Sequence, residues 1–360
     1  MDVLDPRDEA RDARTALRAW LAVQRAFALA PEKLPAAIRT VADPSPLLAE
    51  HAIDSLGRGS FESTLEALAR HHVRLVPISS ALYPERIARL IDAPPVLAVR
   101  GNPALLRVRG VAIVGARAAT RYGRRVASEL AREFARAGLA VVSGLARGID
   151  AAAHEGALAA GGATLGFSAC GPERVYPAEH RALAGRVIER GALVTEFPIG
   201  TPPRAPYFPL RNRLISGMSE AVVVVEARIR SGSLTTARHA ANQGVEVWAV
   251  PGELGKTTSE GPLLLLREGA GLVTEARDVL EAIGLAEPQA ASDAPAPAPP
   301  PGDPLQRQVW ALLRREPQSL DELSQGLEVP PGPLAAAVAA LEVDGRVLRD
   351  RDGRFTTALP

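Results

Sequence analysis

Three short segments combine glycine with hydroxyl or guanidinium side chains, a composition that can bind phosphate. They are GAR at 115–117, SGLARGID at 143–150 and SGSLTT at 231–236. Glycine lets an anion approach the backbone closely, and the first turn of a following helix directs free N–H groups towards it. Arginine adds a forked donor that matches phosphate oxygens. The three segments therefore indicate binding sites for a ligand that carries several phosphates.

Each of these segments follows a short apolar run of the kind that forms buried strands. The runs are Val96–Val99, Val111–Val114, Ala140–Val142, Ala163–Phe167, Ala192–Thr195, Ala221–Val225, Val245–Val250 and Leu272–Val273. Stretches with helical periodicity lie between most of them, and this alternation predicts an α/β domain with a doubly wound, mostly parallel sheet. Because ligands bind beyond the carboxyl ends of parallel strands, we expect the three segments to meet at one edge of the sheet.

A fourth segment, FPLRNR at 208–213, begins the helix before one of these runs. It should bring two arginines and an amide to the same edge, namely Arg211, Asn212 and Arg213. A structural alternative stays open, because Arg147 and Arg213 could instead form ion pairs with Asp150 or Glu226.

The sequence lacks the motifs that would indicate an enzyme or a metal protein. It contains no G-x-x-x-x-G-K-[ST], H-E-x-x-H or G-x-S-x-G pattern, and no Cys and His spacing suited to a metal. His154 lies beside alanines and should be packed or hydrogen-bonded, and Cys170 lies in an apolar run and should belong to the core. We therefore predict a non-enzymatic binding protein with no metal and no cofactor.

The bulk composition restricts both the compartment and the size of any cationic surface. The chain has one cysteine, no apolar run long enough to span a membrane, and an N-terminus, MDVLDPRDEARDAR, that is unlike a signal peptide. These features predict a cytoplasmic protein. The net charge is only +1, and residues 110–280 carry the largest positive excess. An anion-binding surface should therefore be a local patch in that region.

The chain divides into four predicted parts. These are a helical domain at 1–82, the α/β domain at 83–285, a linker at 286–303 and a winged-helix domain at 304–360. The linker is acidic and rich in alanine and proline, a composition that cannot bury a core. Beyond it, three helical segments and a hairpin indicate the winged helix. Its candidate recognition helix, 334–341, has no basic or amide side chain, so we expect protein contact or weak backbone binding there.

In order and spacing, several segments together resemble the bacterial DNA-processing protein A family (DprA, also called Smf), over residues 83–275. They are VAIVGARAATRYG, VVSGLARGIDAAAHEGAL, FPLRNRLISGMSEAVVVVEA, SGSLTTARHA, VWAVPG and the segment around Tyr176-Pro177. The resemblance implies an extended Rossmann-like core with a small helical, sterile-alpha-motif-like (SAM-like) domain before it and a winged helix after it. It also implies a protein that binds single-stranded DNA, protects incoming DNA during natural transformation and homologous recombination, and helps to load the RecA recombinase. Self-association as a homodimer through the Rossmann-like domain is implied as well.

The resemblance assigns the DNA-binding role to the segments described above. Family members commonly carry a lysine after the Tyr-Pro pair, where this chain has Ala178, so Arg181 or Arg174 is expected to substitute. The predicted DNA-binding residues are Gly115, Arg117, Ser143, Gly144, Arg147, Gly148, Arg181, Arg211, Asn212, Arg213, Ser231, Gly232 and Ser233. Aromatic residues make up only 4% of the chain, so we expect base stacking to be secondary to phosphate contacts.

Two enzymatic alternatives are weaker. A Rossmann-like nucleotide phosphoribohydrolase would need a carboxylate near the ribose, for which Asp150 or Glu226 could serve, but the P-G-G-x-G-T-x-x-E signature of such enzymes is missing. A nicotinamide-dependent oxidoreductase would need the G-x-G-x-x-G fingerprint, and positions 117 and 120 are arginine and threonine instead.

Overall fold

Nine strands form one sheet whose central strands are parallel. The computed structural model describes residues 3–8, 10–285, 302–314, 317–349 and 353–357. It divides into two compact units, which separate after residue 289 and are described here one at a time. In the first unit the sheet has the strand order β1-β2-β6-β5-β4-β3-β7-β8-β9. The strands are β1 Val73–Pro77, β2 Val96–Gly101, β3 Gly110–Val114, β4 Ala140–Ser143, β5 Thr164–Phe167, β6 Ala192–Thr195, β7 Ala221–Val224, β8 Glu246–Ala249 and β9 Gly271–Leu272.

Within residues 10–285, eleven α-helices surround this sheet. They are α1 Arg11–Phe27, α2 Ala36–Thr40, α3 Arg58–Arg70, α4 Glu85–Ala88, α5 Arg121–Arg136, α6 Ile149–Ala159, α7 Arg181–Arg190, α8 Tyr207–Gly217, α9 Gly232–Asn242, α10 Glu260–Arg267 and α11 Ala276–Ala282. Among the described residues, no helix is both long enough and apolar enough to span a bilayer.

Alternating residues of the parallel strands supply two separate cores. In β3, Ala112 and Val114 pack into the core that includes α8 and α9, whereas Val111 and Ile113 pack into the core that includes α5 and α6. Successive side chains of a strand point to opposite faces, so strands that are apolar throughout require helices on both faces. The predicted doubly wound, mostly parallel α/β fold is confirmed.

The first two strands differ from the prediction. Residues 1–82 were expected to be a helical domain, but Val73–Pro77 forms β1, and β1 pairs antiparallel with β2. β2 is antiparallel to β6 as well, with Ala98 opposite Thr195. Apolar runs reveal strands but not their direction, which depends on connections and partners distant in sequence.

The N-terminal helices pack on this antiparallel end of the sheet. Trp20 of α1 and Phe61 of α3 share a buried cluster with Val73 and Leu75 of β1. The domain boundary between residues 82 and 83 stays a prediction, although β1 lies before it and is part of the sheet.

The described residues of the second unit form three helices and a hairpin. These are α12 Pro304–Leu313, α13 Leu320–Leu327, α14 Pro331–Val343, β10 Val347–Arg349 and β11 Phe355–Thr357. The buried residues of α14, which include Leu334 and Leu341, pack with Phe355 of the hairpin. This is the arrangement predicted for a winged helix. Of the predicted linker, 286–303, residues 286–301 lie outside the described residues.

Candidate functional site

The loops after β3, β4 and β7 meet at the carboxyl edge of the sheet. The Ala116 amide donates to the carbonyl oxygen of Glu226 at 2.6 Å, and the Ile149 amide donates to the carbonyl oxygen of Ala116 at 3.2 Å. These bonds join the three loops directly. We call the edge formed by residues 115–120, 143–148, 226–233 and the first turn of α8 the rim.

Arg211 lies beneath the rim and holds it together. Its side chain is buried, and Nη1 donates to the carbonyl oxygens of Gly144, at 2.9 Å, and Phe167. The carboxylate of Asp150 lies beside it and accepts bonds from the amides of Gly144 and Ala146, at 3.1 and 3.3 Å. Burial lowers the pKa of Arg211 to about 10, a shift that the charge of Asp150 opposes. Arg211 therefore stays cationic at neutral pH and fixes the loop after β4.

Asn212 connects the same helix to the serine-rich loop. Its Nδ2 donates to the carbonyl oxygen of Gly232 at 3.1 Å, and its Oδ1 accepts from Arg211 Nε at 3.3 Å. Ser231 is the N-cap of α9, where its hydroxyl accepts a bond from the amide of Ser233 at 3.2 Å. Gly232 is exposed, and a side chain there would meet open space. The N-terminus of α9 is therefore an accessible part of the rim.

Arg213 points away from the rim. Its guanidinium binds both carboxylate oxygens of Glu196 at 2.7 Å, and Nε lies 2.8 Å from Asp92 Oδ2. Arg213 and Glu196 are almost fully buried, and burial raises the pKa of Glu196 against the effect of the arginine charge. The structural alternative considered for Arg213 is thus what the structure shows, with Glu196 and Asp92 as partners in place of Asp150 or Glu226. Its contact with DNA remains only a prediction.

A carboxylate already occupies the helix N-terminus that follows β3. Glu226 Oε2 accepts a bond from the amide of Thr120 at 2.9 Å, and Oε1 accepts from the hydroxyl of the same residue. A Cβ added to Gly123 would lie 2.4 Å from the carboxyl carbon of Glu226. The sequence predicted a phosphate-binding site at the first turn of α5. Glu226 already occupies part of that site, so fewer donors remain there for a phosphate. The loop before α5 contributes the exposed Arg117 to the rim.

Arg117 and Arg147 project from the rim into solvent, and Arg181 lies beyond the rim, at the start of α7. Arg117 and Arg181 are exposed, and neither forms an ion pair with any residue that the structure describes. Arg147 forms an exposed, bidentate pair with Glu179, in which Nη2 lies 2.7 Å from Oε2. This pair raises the pKa of Arg147 and lowers that of Glu179. Exposed ion pairs contribute little to stability, so Arg147 can exchange its partner for a phosphate.

An aromatic cluster beside Arg117 was not foreseen from the sequence. The Arg117 guanidinium carbon lies 5.3 Å from the centre of the Phe208 ring, and that ring lies 5.4 Å from the ring of Tyr176, which is 44% exposed. The overall scarcity of aromatic residues hid this local concentration. The position of Phe208 in the sequence could have indicated this cluster, because Phe208 precedes Arg211 by three residues and so shares its helix face.

Close packing requires Ser143 and three of the rim glycines, namely Gly115, Gly144 and Gly148. Ser143 is fully buried and donates to the carbonyl oxygen of Ile113 at 2.7 Å. A Cβ on Gly115 would lie 2.5 Å from Ile149, and one on Gly144 would lie 2.6 Å from Arg211. Gly148 has φ of 76° and would place a Cβ 2.2 Å from the carbonyl oxygen of Ala116. These residues shape the loops more than they present groups to a ligand.

Two family models match almost all of the chain beyond its first 73 residues. The first, described as DNA recombination-mediator protein A, matches residues 74–284, and the second, described as the DprA winged helix domain, matches 293–353. The chain belongs to the DNA recombination-mediator protein A family. The family resemblance expected from the sequence is thereby confirmed.

Known members of this family are similar to the chain in sequence and in structure. Protein Smf of Escherichia coli is 44% identical over 228 residues, an alignment that covers 63% of this chain and 61% of that protein. The X-ray structure of DNA processing protein A from Streptococcus pneumoniae, 30% identical, superposes with a TM-score of 0.59 over 72% of this chain and 97% of that one. DNA processing protein A from Helicobacter pylori, for which a single-stranded DNA binding mode is described, is 30% identical, with a TM-score of 0.52 over 56% of this chain and 92% of that one.

Proposed function

We propose that this chain binds single-stranded DNA along the rim. The observation that carries the proposal is the cluster of the exposed Arg117 and Tyr176 with the half-buried Phe208, at the edge where the three loops meet. A guanidinium binds phosphate, and an aromatic ring stacks on any unpaired base. The two chemistries side by side match the alternation of phosphate and base along a single strand.

The buried part of the site supplies rigidity for this surface. Arg211 and Asn212 tie the loops after β4 and β7 to one helix, so the exposed groups are held in place before DNA arrives. A site that is already ordered loses less conformational entropy when it binds. Phosphate contacts then come from Arg117, Arg147 and the N-terminus of α9, with Arg181 further along the strand.

The recombination role extends the proposal beyond the binding surface. The family description as a recombination mediator and the single-stranded DNA binding of the Helicobacter pylori relative support it. On this basis the protein protects single strands during transformation and recombination in the cytoplasm, and helps a RecA-type recombinase to assemble on them. It acts by binding and not by catalysis. The carboxylates that a phosphoribohydrolase would use, Asp150 and Glu226, are engaged with backbone amides of the rim.

A homodimer is part of the same proposal. One rim offers few cations to a long polyanion, and joining two rims raises the overall affinity without any new contact. Leu272, on the edge strand β9, is 50% exposed, and Leu254, after the neighbouring β8, is 82% exposed. Exposed apolar side chains at a sheet edge are suited to self-association.

Titration with matched single-stranded and duplex oligonucleotides at two salt concentrations tests the proposal. We expect tighter binding of the single strand, since only unpaired bases can stack on Tyr176 and Phe208. We also expect log affinity to fall linearly with log salt, by about 0.7 per neutralised phosphate. Equal affinity for both forms would contradict the role of the aromatic cluster.

A further inference from the structure

A cavity of about 470 Å³ opens beside the rim, between α7 and the end of β2. We call it the α7 pocket; its lining includes Arg100, Arg174, Tyr176, Arg181, Gly185 and Ile188. The volume lies in the range of sites that hold small organic ligands. Its walls combine three guanidinium groups and the carboxylate of Glu173 with one exposed aromatic ring and aliphatic surface. The cations outnumber the carboxylate, so the combination suits a phosphate joined to a flat, apolar group.

The charge of Arg100 lacks a partner at this position. No carboxylate in the described part of the chain lies within ion-pair distance of it, and its Nε is buried without a hydrogen bond to any described residue. Its Nη1 donates to the carbonyl oxygen of Pro172 at 3.3 Å. Burial lowers the pKa of Arg100, and the nearby charge of Glu173 opposes that effect without forming a pair. A partly buried cation with no paired anion is costly, so Arg100 is better explained as a group that receives an anionic ligand.

The remaining charges around the pocket leave it cationic. Arg174 Nε pairs with Glu173 at 2.8 Å, so these two charges offset each other. Glu173 is further held by the amide of Gly200, which donates to its Oε1 at 3.1 Å. Arg181 has no ion-pair partner among the residues described by the structure. Two arginines, Arg100 and Arg181, are therefore left to attract an anion.

Tyr176 links this pocket to the rim. It lines the pocket, and its ring also lies 5.4 Å from Phe208, which packs under Arg117. A strand that crosses Arg117 and Phe208 thus reaches the pocket within about one nucleotide. The pocket is a continuation of the rim and is not an isolated cavity.

We infer that the α7 pocket takes up one nucleotide of the bound strand, with its phosphate on Arg100 and Arg181 and its base against Tyr176 and Ile188. This inference rests on the proposed single-stranded DNA binding. It adds a subsite that fixes one base in a cavity, whereas the rim itself grips an open backbone. A free nucleoside monophosphate has the same chemistry and is distinguished by the experiment below.

Filling the cavity tests the inference without removing a charge. Gly185 lies within α7, and a side chain added there meets no atom within 4 Å. Gly185→Leu should also favour the helix, because glycine is a poor helix former. We expect the labelled single strand to bind at least about fivefold more weakly to G185L, from the loss of one stacked base. Gly59→Leu, on α3 and also in open space, is the matched control and should bind like the wild type.

Removing the charge provides the second test. Arg100→Gln should reduce the slope of log affinity against log salt by about 0.7, the value for one phosphate. Arg190→Gln changes an exposed arginine at the end of α7 and should leave this slope unchanged. If R100Q fails to fold, G185L still decides the matter. Wild-type affinity in G185L would overturn the pocket assignment. Binding of thymidine 5′-monophosphate that G185L abolishes, with strand affinity unchanged, would overturn the assignment to a strand nucleotide.

The Arg117→Ala variant separates this inference from the proposed function. Weak binding in R117A with normal binding in G185L contradicts the pocket and leaves the rim intact. Normal binding in R117A with weak binding in G185L supports the pocket and contradicts the rim.

Discussion

Arginines of the segments predicted to bind phosphate have different roles because they differ in burial. Arg211 and Arg213 are buried and bind protein groups, whereas Arg117 and Arg147 are exposed. The two buried guanidinium groups are satisfied by the protein itself and organise the site, and of these four arginines only the exposed ones can exchange water for phosphate. The effect of each substitution should follow this division.

Gly148 is the residue at which the loop after β4 is most sensitive to a side chain. Its backbone, at φ 76° and ψ −117°, suits only glycine, and a Cβ would collide with the Ala116 carbonyl. Gly138→Ala is the matched control, because Gly138 has φ of 80° but open space around it. We expect Gly148→Ala to lose about 1–3 kcal/mol more unfolding free energy than G138A in urea titrations, from overpacking and strain. Equal losses would mean that the close approach to Ala116 is unimportant.

For the individual residues of the site, the sequence predicts which segments meet but not what each side chain contacts. The glycine and serine pattern is local, and it correctly placed the loops after β3, β4 and β7 together. The partners of Arg213 are Glu196 and Asp92, which are distant in sequence. No local pattern reports such contacts, and the carboxylate of Glu226 at the start of α5 escaped prediction for the same reason.

Among the elements, α6 is positioned by a buried histidine. Thr164 Oγ1 donates to the Val141 carbonyl at 2.7 Å, so it accepts from His154 Nδ1, also at 2.7 Å. The proton therefore resides on Nδ1, and Nε2 is buried without a partner among the described residues. This contact ties α6 to β4 and β5 and thereby supports the loop between β4 and α6.

Folding stability should fall in mild acid because of His154. Burial lowers the pKa of His154 from 6.5 to about 3. Below pH 6.5 the unfolded chain takes up a proton that the folded chain refuses, so stability declines down to about pH 3, by at most about 1.4 kcal/mol per pH unit.

Urea unfolding at pH 7 and pH 5 measures this effect. Between pH 7 and pH 5, the free energy of unfolding should fall by about 2 kcal/mol more in the wild type than in His154→Gln. His71→Gln, which changes a partly exposed histidine after α3, should behave like the wild type. Identical pH dependence in H154Q and the wild type would contradict the assignment to His154.

The strands were predictable because their apolar runs are uninterrupted, and all eight runs coincide with strands of the sheet. β1 was not, since Arg74 interrupts the apolar run of Val73–Pro77 and the strand closely follows a helix. The three helices and the hairpin of the second unit were also predictable, because each carries its own periodicity and turn signals.

For the whole molecule, the net charge of +1 makes association the natural way to hold a long strand. Leu272→Glu places a charge on the exposed edge strand β9, and Ile91→Glu alters an equally apolar residue, 83% exposed, after α4. By sedimentation we expect a dimer for the wild type and I91E and a monomer for L272E, with DNA affinity of L272E lowered at least tenfold on long strands. A monomeric L272E that binds long strands as tightly as the wild type would remove the need for paired rims.

The most direct test of the account is the salt dependence of single-stranded DNA binding by Arg117→Ala. Arg136→Ala is the control, an exposed arginine at the opposite end of α5 from the rim. We expect R117A to bind about tenfold more weakly, with the slope of log affinity against log salt reduced by about 0.7, and R136A to match the wild type. A folded R117A protein with wild-type affinity and slope would show that the strand does not cross the rim.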